Sequence, residues 1–140
     1  MDEPPIGRLL GIAGRLVAAR FQRLLDAQGM THAGWQVLLA IGSTERLTQR
    51  EIAARCYVTP ATVTGVVDTL EREGLVVRER GTDDRRLVRV ALTAEGRARL
   101  ARMRKAATKE MDPVFADLTG REEAVVRAFL TKTIERLESP

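Results

Sequence analysis

The stretch from Leu47 to Thr93, LTQREIAARCYVTPATVTGVVDTLEREGLVVRERGTDDRRLVRVALT, restricts this chain more than any other part of it. Thr48, with Glu51 three residues later, is a capping box that opens a short helix. Thr59 followed by Pro60 opens another, because the hydroxyl accepts from free N–H groups and a proline at the first helical position has no N–H to lose. Gly74 stops that helix. Two strands follow, starting at Leu75, joined by a loop whose tip carries Asp83, Asp84, Arg85 and Arg86. Two short helices with a tight turn between them, then a β-ribbon, is the order of a winged helix-turn-helix.

Helical periodicity frames that segment. Ile6, Leu9, Leu10, Ala13, Leu16, Val17, Phe21, Leu24 and Leu25 recur at helical spacing, and Gly29 is placed to end the helix. Thr31 caps a second helix carrying Trp35, Leu38, Leu39 and Ile41, with Gly42 at its exit. Thr93 caps a long helix through about Asp112, where Pro113 ends or kinks it. Thr119 and Glu122 form a second capping box, opening a final helix with Val125, Val126, Phe129, Leu130, Ile134 and Leu137. In the ribbon, Leu75 and Val77 alternate with Val76, Arg78 and Arg80, and Val88, Val90 and Leu92 alternate with Leu87, Arg89 and Ala91. That pattern predicts one apolar face and one largely of arginine. The expected fold is therefore mainly α with a small β-wing: about six helices and a two- to three-stranded ribbon. A single domain spans 1–140, with the winged lobe at about 31–93 and dimerisation helices at about 5–28 and 94–138.

Composition narrows the function classes. In 140 residues, 23 Lys plus Arg stand against 19 Asp plus Glu, for a formal charge of +4 and a pI near 10.0. The excess suits an anionic partner without requiring one. One cysteine and one histidine give no basis for an internal disulfide, a Cys-rich zinc site or a metal cluster, so no metal or cofactor is expected. No apolar run approaches the roughly 20 residues of a bilayer span, and MDEPPIGRLLG lacks a signal-peptide pattern. The expectation is a soluble, cytoplasmic protein with no membrane partner. There is no glycine-rich phosphate loop and no nucleophile or carboxylate at a recognisable spacing from the single His, which argues against an enzyme.

The recognition chemistry falls on the fourth helix and the wing. Val63, Val67 and Leu70, at i, i+4 and i+7, must face the core, which turns Ala61, Thr62, Thr64, Gly65 and Asp68 outward. The N-terminal turns of such a helix meet base edges, and their free N–H groups favour phosphate. Threonine hydroxyls bond phosphates or base edges, while Ala61 and the threonine methyls can touch a thymine methyl. On a lone helix the same threonines would only coat a solvent-exposed face; the capped partner helix and basic wing favour double-stranded DNA. Asp84 and Arg86, two apart, place a carboxylate where it can brace a guanidinium for a narrow minor groove. Arg85 and the outer-face residues Arg78, Arg80 and Arg89 are placed to meet phosphates. The candidate DNA-binding residues are thus Thr59, Ala61, Thr62, Thr64, Gly65, Arg78, Arg80, Asp84, Arg85 and Arg86.

LTQREIAARCYVTPATVTGVVDTLEREGLVVRE, the wing DDRRLVRVALT and the Thr31-His32-Ala33-Gly34-Trp35 start of the second helix together resemble the MarR family of bacterial transcription regulators, over nearly the whole chain. The resemblance implies an obligate homodimer built by the first, fifth and sixth helices on a pseudo-palindromic operator. It implies repression of nearby genes, relieved by a small aromatic or phenolic ligand. It gives Asp84 and Arg86 the bracing and minor-groove roles of the family's D-x-R wing motif. The family pocket lies between the dimer helices and the DNA-binding lobe, which makes Arg15, His32 and Trp35 the candidate ligand contacts.

Two positions depart from the family pattern. Tyr57 stands in the turn where relatives usually place Gly; with positive φ there it costs on the order of 1 kcal/mol. Either the turn differs or Tyr57 adds packing or a phosphate contact. Gly65 stands where many relatives carry a larger, often basic residue, and weakens the helix by about 1 kcal/mol relative to Ala. Cys56, in the turn, is expected to pack rather than sense oxidants. The alternative to a ligand-released repressor is a winged-helix DNA-binding or protein-interaction module without an effector. Terminal helices rich in aliphatics are expected to bury them against a symmetric partner. The cations of the long helix, Arg97, Arg99, Arg102, Arg104, Lys105 and Lys109, read chiefly as a solvated face.

Overall fold

The threonines singled out above cap helices in the computed structural model, which describes residues 2–42 and 45–138. In chain order the elements are α1 (Ile6–Ala27), α2 (His32–Ile41), β1 (Arg46–Thr48), α3 (Gln49–Cys56), α4 (Pro60–Arg72), β2 (Val76–Arg80), β3 (Val88–Leu92), α5 (Ala94–Phe115) and α6 (Gly120–Glu138). Among the described residues this is six helices and one three-stranded antiparallel sheet of order β1-β3-β2, a winged helix-turn-helix. The chain divides into two compact units, Met1–Ala107 and Thr108–Pro140, the division falling inside α5.

Local capping chemistry sets the helix starts. The Thr31 hydroxyl accepts from Gly34 N–H at 3.0 Å, and Thr59 accepts from Thr62 N–H at 3.3 Å. Both capping boxes close reciprocally. Thr48 accepts from Glu51 N–H at 3.2 Å while Glu51 accepts from Thr48 N–H at 3.2 Å. Thr119 and Glu122 repeat the pair at 3.2 and 3.0 Å. Each glutamate is held below its usual range, first by the backbone N–H of its cap residue and then by the threonine hydroxyl. A carboxylate depressed in the folded state stabilises above its unfolded pKa, and that stabilisation is lost as pH falls through the folded value. The stability advantage of wild type over Glu51→Gln is therefore expected to be complete at pH 7 and to shrink below pH about 4. Thermal denaturation at pH 7 and pH 3 checks it; a gap of constant size would be the wrong outcome.

The first unit holds the core. Leu25 of α1, Trp35, Leu38 and Ile41 of α2, Ile52 of α3, Val63, Val67 and Leu70 of α4, Val76 and Val90 of the sheet, and Leu100 and Met103 of α5 form one buried cluster. Leu25 is the one buried residue of α1, whereas Ile6, Leu9 and Leu16 are exposed. In the second unit α6 buries no residue, and Val125, Phe129, Ile134 and Leu137 are all exposed.

Three sequence expectations need correction. On β3 the faces are as the alternation predicts, with Val90 and Leu92 toward the core, but the faces of β2 are inverted. Register pairs Val76 with Leu92, Arg78 with Val90 and Arg80 with Val88, and directly opposed residues share a face. Val76 therefore joins Val90, Leu92 and the Leu47 of β1 against the core, and Val77 is on the exposed side. Arg78 and Arg80 lie on the core-side face rather than the outer one, Arg80 at the exposed strand end. Leu75 is buried but precedes the strand, since its N–H closes the α4 terminus on Leu70 O at 2.9 Å. Finally, of the two outcomes expected at Pro113, an end is not what is found: α5 runs through Pro113 to Phe115. A proline removes one N–H from the helical ladder without forbidding the turn that follows it.

Tyr57 adopts φ 58° and ψ 39°, the left-handed conformation, and is the one non-glycine residue with positive φ among those described. The turn thus has the geometry that glycine serves in the family pattern, and the exposed tyrosine ring recovers little packing. Tyr57→Gly is expected to stabilise the fold by roughly 0.5–1 kcal/mol, the relief of left-handed strain less the extra chain entropy of glycine. A melting temperature equal to or below that of wild type would contradict this.

Candidate nucleic-acid interface

The α3–turn–α4 unit and the wing present their polar groups by different means. On α4, Ala61, Thr62, Thr64, Gly65 and Asp68 are exposed while Val63, Val67 and Leu70 are buried, as the helical spacing predicts. Thr59 and Thr62 share a hydroxyl–hydroxyl bond of 3.0 Å at the first turn. The Thr64 hydroxyl is engaged twice, donating to Pro60 O at 3.1 Å and accepting from Gln49 Nε2 at 2.9 Å. Gly65 has open space where a Cβ would stand, so the site would admit a larger residue.

The wing loop is tied by its own backbone. Gly81 N–H donates to Leu87 O at 2.8 Å, and Leu87 N–H donates to Asp84 O at 3.1 Å. A Cβ on Gly81 would lie 2.6 Å from Asp84 O, so the tight closure requires glycine. Within this loop Asp84 accepts from Arg86 three times: the backbone N–H at 3.0 Å, Nε at 3.2 Å and Nη2 at 3.3 Å. The Arg86 guanidinium beside it, then the Arg86 backbone N–H, holds the Asp84 carboxyl below the usual carboxylate range. Arg86 nevertheless keeps 90% of its side chain exposed, so the brace orients the cation without burying it. Arg85 is exposed, and its carbonyl accepts from Arg80 Nη1 at 3.2 Å, which ties the strand end to the loop. Arg89 is 3.9 Å from Asp83 and Arg46 is 3.3 Å from Glu79 on the outer face of the sheet.

Arg78, expected at a phosphate, is instead enclosed. Its guanidinium meets Asp68 at 2.7 Å and Glu71 at 2.9 Å, and donates to Gln49 Oε1 at 3.1 and 3.3 Å. Sequence reasoning did not raise Gln49; its bonds to Thr64 and Arg78 span 15 and 29 residues, beyond any local motif.

The three residues expected at a ligand do not converge. Arg15 is exposed on α1, and Trp35 is buried beside Phe21, with ring centroids 6.1 Å apart. His32 borders a cavity of about 230 Å³ that also reaches Gln36, Cys56, Val58, Thr62 and Val66. Cys56 is half-buried there, its thiol 3.5 Å from Gln36 O, and burial pushes its pKa up, which disfavours the reactive thiolate. Among the described residues no cluster of His, Cys, Asp and Glu could hold a metal, and no helix is long and apolar enough to cross a membrane.

A capped helix-turn-helix with an arginine-tipped wing defines a winged-helix regulator of the DNA-binding class. Comparison with known proteins gives the family. A sequence profile described as MarR family matches residues 28–87. The HTH-type transcriptional repressor YetL of Bacillus subtilis (strain 168) is 31% identical over 112 residues, 79% of this chain and 67% of YetL. The HTH-type transcriptional regulator SarZ of Staphylococcus saprophyticus is 33% identical over 89 residues, 64% of this chain and 61% of SarZ. Among solved structures, Bordetella bronchiseptica BpsR, described with a mechanism for regulation of its DNA binding by 6-hydroxynicotinic acid, superposes with a TM-score of 0.79 at 27% identity, covering 95% of each chain. The chain belongs to the MarR family of transcription regulators, and these relatives are named as regulators rather than enzymes.

Proposed function

We propose that this chain acts as a homodimeric repressor that binds a pseudo-palindromic operator in double-stranded DNA and is released by a small aromatic or phenolic ligand. In this reading α4 enters the major groove with Thr59, Ala61, Thr62, Thr64 and Gly65. Arg86, oriented by Asp84, reaches the adjacent minor groove, while Arg80 and Arg85 meet phosphates. The observation that carries the reading is the braced yet exposed Arg86 at the wing tip. A guanidinium fixed in direction but open to solvent is suited to a narrow, electronegative groove.

The unpartnered apolar side chains of α6, together with Phe115 and Leu118, support a dimer, because exposed aliphatic surface of this extent is usually covered by a symmetric partner. Two-fold symmetry would set the recognition helices about 34 Å apart, one DNA turn. For the ligand, the support is the BpsR regulation noted above and the cavity at His32, whose 230 Å³ exceeds the roughly 150 Å³ that admits benzene. Arg15 and Trp35 would take part only if the dimer or the ligand brings them closer. The repressor assignment leans on the name of YetL, and a cytoplasmic location follows from a role on chromosomal DNA.

Selection of bound duplexes from a random pool, eluted first with salt and then with phenolic acids, tests the whole reading. Expected are a palindromic consensus and affinity falling steeply with salt as arginines displace condensed counterions. A flat salt response, or a stable monomer on light scattering, would end it.

A further inference from the structure

The Arg78 guanidinium is taken up by groups of α3 and α4. Arg78 is the middle residue of β2, with 24% of its side chain exposed. Its fork reaches two other elements. From α4 it takes the Asp68 carboxylate at 2.7 Å, the Glu71 carboxylate at 2.9 Å and the Thr64 carbonyl at 3.4 Å. From α3 it takes Gln49 Oε1, through both Nε and Nη2. Glu71 also accepts the backbone N–H of Arg78 at 3.2 Å, so strand and helix are joined twice.

The consequence runs through Gln49. With its oxygen claimed by the guanidinium, its amide nitrogen is turned to Thr64 Oγ at 2.9 Å. The Thr64 hydroxyl, already donating to Pro60 O, thereby has both its proton and an acceptor position in use. What Thr64 retains for an incoming duplex is its methyl group and one acceptor lone pair, with no proton to donate to a base edge; the methyl is suited to the thymine C5-methyl. We infer that Arg78 is a positioning residue for DNA recognition: acting through Gln49, it fills an acceptor position of a Thr64 hydroxyl whose proton Pro60 O already holds, so that Thr64 reads the operator chiefly through its methyl. The inference rests on α4 being the DNA-reading helix, and it replaces a phosphate-contact role for Arg78. An arginine that serves two carboxylates has no charge left over for a backbone phosphate, and a lysine could not reproduce the fork.

The test uses the full-length protein, its best selected duplex, single base-pair variants of that duplex and an unrelated duplex, over a salt series. Thr64→Val keeps methyl groups and removes the hydroxyl; it is expected to retain the wild-type base preference. Thr64→Ser keeps the hydroxyl and removes the methyl; it is expected to flatten preference at one base pair in each half-site. Arg78→Lys keeps the charge but not the fork, and is expected to reduce discrimination between selected and unrelated duplexes by about tenfold with an unchanged salt slope. Gln49→Met leaves the ion pairs of Arg78 in place and is expected to change preference at the Thr64 base pair alone, so the proposal remains testable if Arg78→Lys folds poorly by circular dichroism. A uniform loss on every duplex with a salt slope lower by about one would make Arg78 a phosphate contact and overturn the inference. Preference lost in Thr64→Val but kept in Thr64→Ser would overturn it equally. Failure of the wild-type chain to bind any duplex would count against the DNA-binding reading itself, and that result is separate because it needs no variant.

Discussion

Gly96→Ala is expected to destabilise the protein by about 3 kcal/mol, the upper range for overpacking, and to lower its melting temperature by about 10 °C. Gly96 lies in the first turn of α5 and is buried. A Cβ there would overlap the Leu75 carbonyl oxygen and stand 3.0 Å from its carbon. The obstacle is backbone, so no rotamer change relieves it. That carbonyl also accepts the Thr93 N–H at 3.1 Å, while the Thr93 hydroxyl donates to Gly74 O at 2.7 Å and accepts from Gly96 N–H at 2.9 Å. Helix α5 is thus seated on the turn that leads from α4 into β2, and moving it would move the wing root. Gly65→Ala gives the contrasting result. It has open space around the added carbon and sits inside α4, so it is expected to stabilise by about 1 kcal/mol. Melting curves of the two variants decide the matter; a near-neutral Gly96→Ala would mean that the close approach of α5 to Leu75 is not as described.

Arg86→Ala is expected to weaken operator binding by about 1–3 kcal/mol, roughly fivefold to 150-fold, with little change in melting temperature. The small stability effect follows from exposure, since a side chain 90% in solvent supports no packing. The large binding effect follows from the brace. Asp84 fixes the direction of the guanidinium in the free protein, so less rotamer entropy is lost when it enters a groove. Asp84→Ala should reproduce part of the loss by releasing Arg86, even though it removes a negative charge near DNA. Fluorescence anisotropy with a labelled operator measures both. Unchanged affinity in Arg86→Ala would leave the wing without its assigned role and favour a protein-interaction surface.

Much of this was legible in residue order because the relevant interactions are short. The Thr48–Glu51 and Thr119–Glu122 boxes join residues three apart, and the Asp84–Arg86 brace joins residues two apart. Such contacts form within one turn of chain whatever surrounds them. The buried stripe of α4 was equally plain, because a helix with one apolar side must bury it. The left-handed backbone at Tyr57 could be stated only conditionally, since a tyrosine gives no local sign of positive φ.

The tertiary structure alone decided the rest. Three-residue β1 is too short for alternation to mark, and it exists because β3 offers an edge to pair with. The β2 faces went the other way from the alternation because pairing register, set across strands, determines which side meets the core. Arg78 was misplaced for the same reason: its carboxylate partners lie on the helix before it, and Gln49 is 29 residues distant. The sequence determined which segments are helices, where each begins and which loop carries a poised cation, because those depend on interactions spanning a few residues. Which polar side chains are left free to meet a partner depends on segments far apart in the chain being folded against each other.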